Sequence, residues 1–225
     1  KHDQSSHGRG GGTVRPSLAE ATTSEQVGGA AAAEAKAITG RDIAFDMAGS
    51  DPQIAREHAE GLLQVLERYP EAVRVSPLAG QGPNGVTPYA RISGSDVVFS
   101  AEYSSDPDGY HASLAKAEAT GFYASGHATP MAIGIHEASH QTGPPWETGP
   151  RAGNIALEDA RSKGGEFTTE STLQNVRTNL GSYATENGAE LTAIGVTDVI
   201  LHGSAASSLA QSLTAMNDEE YQRII

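Results

Sequence analysis

An apolar helical run carrying two histidines four positions apart constrains this chain more than any other feature. Residues 131–141 are Met-Ala-Ile-Gly-Ile-His-Glu-Ala-Ser-His-Gln. Thr129 supplies an N-cap, Pro130 a first-turn proline and Gly143-Pro144-Pro145 a stop, so the pattern predicts a short helix. At 3.6 residues per turn, His136 and His140 project from one face, one above the other, within reach of a single metal ion. Glu137 lies about 100° around the same helix. That position suits a third ligand poorly, but it lets the carboxylate reach a water on the metal and accept its proton as general base. The plainer alternative is a surface helix with solvated histidines.

Composition narrows the rest. A chain of 225 residues fits one ordinary domain plus an appendage and is long enough to bury a sizeable core. Its net charge of −13 argues against a phosphate-binding surface, and so against nucleic acid as a partner. With no cysteine, any metal must be held by histidine and carboxylate. No apolar run approaches the roughly 20 residues of a membrane span, so no membrane partner is expected. The start at Lys1 instead of methionine is what a processed product or a fragment would have.

Residues 1–40 are expected to form a flexible Gly/Ser/Ala-rich tail, and residues 41–225 the folded domain. Up to about Gly29 the chain has almost no large apolar residue to offset the entropy of ordering it. Ala30 to Ile38 favours helix but offers only alanine as an apolar face, which predicts a marginal helix. His2 and His7 in this tail are expected to be solvated.

From Arg41 onward the pattern predicts a strand over 42–46, a helix over 52–69 opened by Asp51-Pro52 and ended by Pro70, and a strand over 73–78. A turn at 80–85, strands over 89–92 and 97–100, and a short helical segment over 111–119 follow. Further helices are expected over 154–161 and 188–201. His127 is expected in an exposed loop and His202 at a helix C-terminus. Asp159, Glu166, Glu170 and Glu186 are expected to be solvated charges.

Zinc held by two histidines needs at least one more protein ligand. Extending the motif to H-E-x-x-H-x-x-G-x-x-H matches Gly143 but puts Trp146 at the ligand position, which rules that extension out. Two candidates stay open on the residues alone. Glu158 lies in the 154–161 helix, and Glu190 starts the 188–201 helix, where Asn187-x-x-Glu190 is equally a capping box.

The run Ser182-Tyr183-Ala184-Thr185-Glu186-Asn187-Gly188-Ala189-Glu190 resembles the second motif of the anthrax lethal factor-like zincins, a gluzincin family in which a tyrosine stands seven residues before a ligand glutamate. The resemblance spans roughly residues 41–201. It implies His136, His140 and Glu190 as zinc ligands, Glu137 as general base and Tyr183 as the hydroxyl that steadies an oxyanion. Family members commonly carry a second glutamate one turn after the ligand; this chain has Ile194 there. Separately, Lys1-His2-Asp3-Gln4-Ser5-Ser6-His7-Gly8 resembles a short tag of structural proteins of tailed bacteriophages, which implies other phage head proteins as partners and a virion or host cytoplasm as the setting.

The expectation is therefore an α+β, zincin-like metallopeptidase domain, its active-site helix packed on a small, mostly antiparallel sheet and preceded by a disordered tail. It would use Zn2+ to hydrolyse a peptide or protein substrate, with Val97 to Ser100 as the edge strand a substrate pairs with. The alternative is a non-catalytic structural or interaction domain of a phage head-associated protein that retains the fold.

Overall fold

The computed structural model describes residues 17–72, 88–166 and 168–225. Its first core is built on α2 (Pro52–Arg68), where the expected start signal operates: Asp51 Oδ1 accepts the Gln53 N–H at 2.8 Å and the Ile54 N–H at 3.3 Å. The apolar face of α2, including Ile54, Leu62, Val65 and Leu66, is completely buried. It lies against α5 (Pro130–Ser139), the helix that carries the two histidines. Glycine lets these two backbones meet. A side-chain carbon at Gly61 would collide with the Met131 carbonyl, and one at Gly134 would stand 3.0 Å from the His58 carbonyl oxygen.

The expected tail needs correction over residues 17–40. α1 (Ser24–Thr39) is a helix of four turns whose Val27, Ala30, Ala31 and Ala35 are buried against α2. Alanine loses no rotamer freedom on burial, so a face made of it can dock if the partner backbone comes close. Ahead of it, Arg56 donates to the carbonyls of Leu18 and Ala21 at 3.2 and 2.7 Å, tying this lead-in to α2. The disorder expected up to about Gly29 does not hold over 17–29, where Ala21 and Val27 are buried, and positions 1–16 lie outside the described residues.

Residues 42–46 form no strand. Ile43, Phe45 and Met47 are buried and the residues between them exposed, which is the alternation of a strand with no ladder partner among the described residues. The strand expected over 73–78 and the turn over 80–85 lie outside the described residues. β1 (Ala90–Ser93) and β2 (Asp96–Phe99) form an antiparallel hairpin in the register Ala90 to Phe99, Arg91 to Val98 and Ile92 to Val97. After the short α3 (Ala101–Ser104), α4 (Pro107–Ala119) starts four residues earlier than the segment expected over 111–119 and brings Tyr110 and Leu114 into the same core.

The second core is helical. It is made by α6 (Pro145–Ser162), α7 (Thr169–Leu180), α8 (Gly188–His202) and α9 (Ser208–Ile224), packed around Leu180, Leu191, Ile194, Leu209 and Leu213. α6 runs well beyond the 154–161 segment expected. α5 and α8 lie against each other where the two cores meet. Among the described residues the chain is thus mostly helical with one small antiparallel sheet, compatible with an α+β class, and no single helix is long and apolar enough to cross a membrane.

Candidate metal centre

Two helix starts position the ligand candidates. Thr129 Oγ1 accepts the Ala132 N–H at 3.0 Å to open α5, and Ile133, Ile135 and Ala138 root that helix in the first core, so His136 and His140 must face α8. Asn187 Oδ1 accepts the N–H groups of Ala189 and Glu190 at 2.9 and 3.0 Å to open α8. The Asn187 half of the expected capping box is present. The Glu190 carboxylate instead turns toward α5, its Oε2 standing 3.0 Å from His136 Nε2 and 3.3 Å from His140 Nε2.

The two imidazole nitrogens are 3.2 Å apart. The three atoms therefore form a near-equilateral triangle. A cation bonded at about 2.0–2.1 Å to tetrahedrally placed ligands has ligands about 3.3 Å apart, close to the edges observed. Glu190 Oε2 is also buried and accepts no aligned hydrogen bond despite its closeness to both rings. A buried carboxylate oxygen without a donor is costly, and a cation on it would remove the cost. The donor set fits a metal of the zinc type. Glu158, the other candidate, is an exposed residue of α6 and does not belong to the cluster.

Electrostatics sharpen the roles. Burial raises the Glu190 carboxyl, but the closeness of the His136 and His140 imidazoles outweighs it and holds the group well below the ordinary carboxylate range. Burial raises the Glu137 carboxyl, and this time the neighbouring histidines do not reverse it. Two carboxylates in one site are thus pushed apart in affinity for a proton, one a fixed anion and the other a proton acceptor. Burial, followed by the charges of Glu190 and Glu137, pushes the Tyr183 phenol well above its usual value, so it stays a donor. Its ring lies 5.6 Å from that of His136.

Glu137, His140, Tyr183 and Glu190 line an open cleft of about 890 Å³, together with Arg91 and Gln141. β1 and the hairpin turn form its far wall, whereas Val97, Val98 and Phe99 of β2 are buried. The strand presented to the cleft is therefore β1 and not the expected 97–100. A second cavity of about 290 Å³ opens on His136, Glu137 and Tyr183, and is walled by Tyr89, Tyr103, Phe122 and Tyr123. This aromatic wall escaped sequence reasoning because its members come from three separate segments with no shared spacing.

Two further expectations change. His127 is not exposed but 4% accessible and bonded to Asp198. Asp159 is partly buried and anchored by Lys163, Asn175 and Ser208, whereas Glu166, Glu170 and Glu186 are exposed as expected. No family model, curated protein or solved structure matches the chain.

Proposed function

We propose that this chain is a zinc-dependent metallopeptidase with a zincin-like fold of the lethal factor-like kind. The observation that carries the proposal is the convergence of His136, His140 and Glu190 within 3.0–3.3 Å of one another beside Glu137, on an open cleft. A zinc ion held by these three residues would supply Lewis acidity toward a water molecule and a peptide carbonyl. Glu137, its carboxyl raised by burial, accepts a proton from the attacking water and returns it to the leaving amine. Tyr183 keeps its proton and donates a hydrogen bond to the oxygen that becomes negative. The cleft is lined along β1 by Ala90, Arg91 and Ile92, where an extended peptide would pair, and the aromatic cavity gives one apolar side chain of the substrate a recess. A phage particle as the setting, with other head proteins as partners, rests on the eight-residue resemblance at Lys1 to Gly8.

A second reading, a non-catalytic domain that keeps the fold, is favoured by Ile194. It is 3% exposed within the second core, one turn after Glu190, and leaves no polar group there to orient the ligand. Cleavage of a mixed peptide library by the wild-type chain and by Glu137→Ala, with zinc content measured in parallel, separates the two. The peptidase reading expects cleavage by the first, cleavage lowered by about 10²–10⁴-fold in the second and zinc in both. Cleavage undiminished in Glu137→Ala would sink it.

A further inference from the structure

The C-terminal end of α8 holds another convergence of ligand atoms. His127 Nε2 stands 3.1 Å from Asp198 Oδ1, and His202 Nδ1 stands 2.7 Å from the same oxygen. All three lie within 4.8 Å of one another. His127 and Asp198 are buried and His202 stands at the rim. The other oxygen of Asp198 receives the Ser207 N–H at 3.1 Å and its hydroxyl at 3.4 Å, so Oδ1 is held facing the histidines, as outer partners hold a ligating carboxylate. The loop also closes under His202. Gly126 has φ +81°, and a side-chain carbon there would stand 3.3 Å from His202 Nε2.

We propose that His127, Asp198 and His202 bind a second divalent cation of the zinc class, structural in role. Two imidazoles and a carboxylate form a nitrogen-and-oxygen set that suits zinc, whereas calcium and magnesium take oxygen ligands. Asp198 lies about 12 Å along the helix axis from Glu190 at 1.5 Å per residue, so this centre is distinct from the one in the cleft. What it would fasten follows from connectivity. The loop from Gly121 to Thr129 begins at the cleft, where the carbonyls of Gly121 and Phe122 accept the N–H groups of Ser182 and Tyr183 at 2.9 and 3.0 Å. It ends where Thr129 caps α5. A cation on His127 therefore pins the entry to α5 against the far end of α8, and these are the two helices that carry the cleft ligands.

The test is the zinc content of the full chain after dialysis against zinc alone, by elemental analysis. Wild type is expected to hold two ions per chain. His202→Gln, a change at the rim that leaves both cores intact, is expected to hold one, and His136→Ala is expected to hold one at the second centre. Cobalt-loaded His136→Ala should keep a visible d–d absorption that the His136→Ala/His202→Gln double variant loses. One ion in wild type, kept in His202→Gln and lost in His136→Ala, would overturn the proposal and leave a purely hydrogen-bonded triad. One ion kept in His136→Ala and lost in His202→Gln would support the second centre while removing the first, so the two proposals fail separately. Should His136→Ala not fold, the count for wild type against His202→Gln decides alone.

Discussion

His136 on α5 and Glu190 on α8 meet at 3.0 Å, and it is Asn187 that aims the glutamate. By accepting the N–H groups of Ala189 and Glu190, Asn187 fixes the first turn of α8 from which the carboxylate projects. Asn187→Ala is expected to cost about 1 kcal/mol of stability through the lost cap. It should also weaken zinc binding roughly 10-fold, the lower end of the usual loss when a ligand's support is removed. Competition with a chromophoric chelator measures the second effect. Unchanged affinity would show that Glu190 is held by something else.

Glu137→Ala and Tyr183→Phe should spare the metal and lower turnover by different routes. Loss of a general base typically costs about 10²–10⁴-fold, and loss of one oxyanion donor about 10²–10³-fold. Steady-state cleavage of a peptide selected from the library gives both numbers, and the drop is expected in kcat with KM little changed.

Acid stability should depend on His58. Its ring is fully buried, stacked on Phe99 at 3.8 Å with Tyr110 as its hydroxyl partner, and burial pulls its pKa down to about 3. In the unfolded chain the imidazole protonates near the ordinary value of about 6.5. Between these values the unfolded state binds the extra proton, so this contribution is full above pH 6.5 and is lost progressively as pH falls toward 3. Urea unfolding of wild type and His58→Leu at pH 7 and pH 5 should show a smaller loss in the variant. Equal losses would mean that His58 is not buried neutral.

Restoring a glutamate at position 194 should harm the fold more than it helps the site. Ile194 is enclosed by α6, α8 and α9, and an unpaired carboxylate there costs several kcal/mol. Ile194→Glu is expected to lower the melting temperature by at least about 10 °C, whereas Ile194→Val should cost only about 1 kcal/mol. Calorimetry distinguishes them. An Ile194→Glu variant as stable as wild type would mean that position 194 faces the cleft.

How much was legible from residue order depends on whether a signal was local. Asp51-Pro52 with its apolar spacing, and Thr129-Pro130 with His136 and His140, carry their helices in a few consecutive residues, and both formed where the pattern put them. In α1 only the marginal helix over 30–38 was legible, and its start at Ser24 and its docking were missed because alanine gives no contrast between faces; its burial depends on how closely α2 approaches. Ile43, Phe45 and Met47 show the reverse error, an alternation satisfied by packing with no neighbouring strand among the described residues. His127 had no partner within its own loop, and the carboxylate that buries it comes from the end of α8. The pairing of Glu190 with α5 was anticipated only through a resemblance, since nothing in the spacing itself chooses it over Glu158.

The candidate ligands at the cleft draw on two cores, α5 rooted in the first and Leu191 and Ile194 of α8 in the second. A metal spanning them would act as a gauge of registry. Ligand positions must hold to within about 0.5 Å, while sliding α8 by a single residue moves Glu190 about 1.5 Å. α8 also sends Val196 into the first core, so the triad closes only when that helix is seated against both interiors, and metal affinity would report that seating.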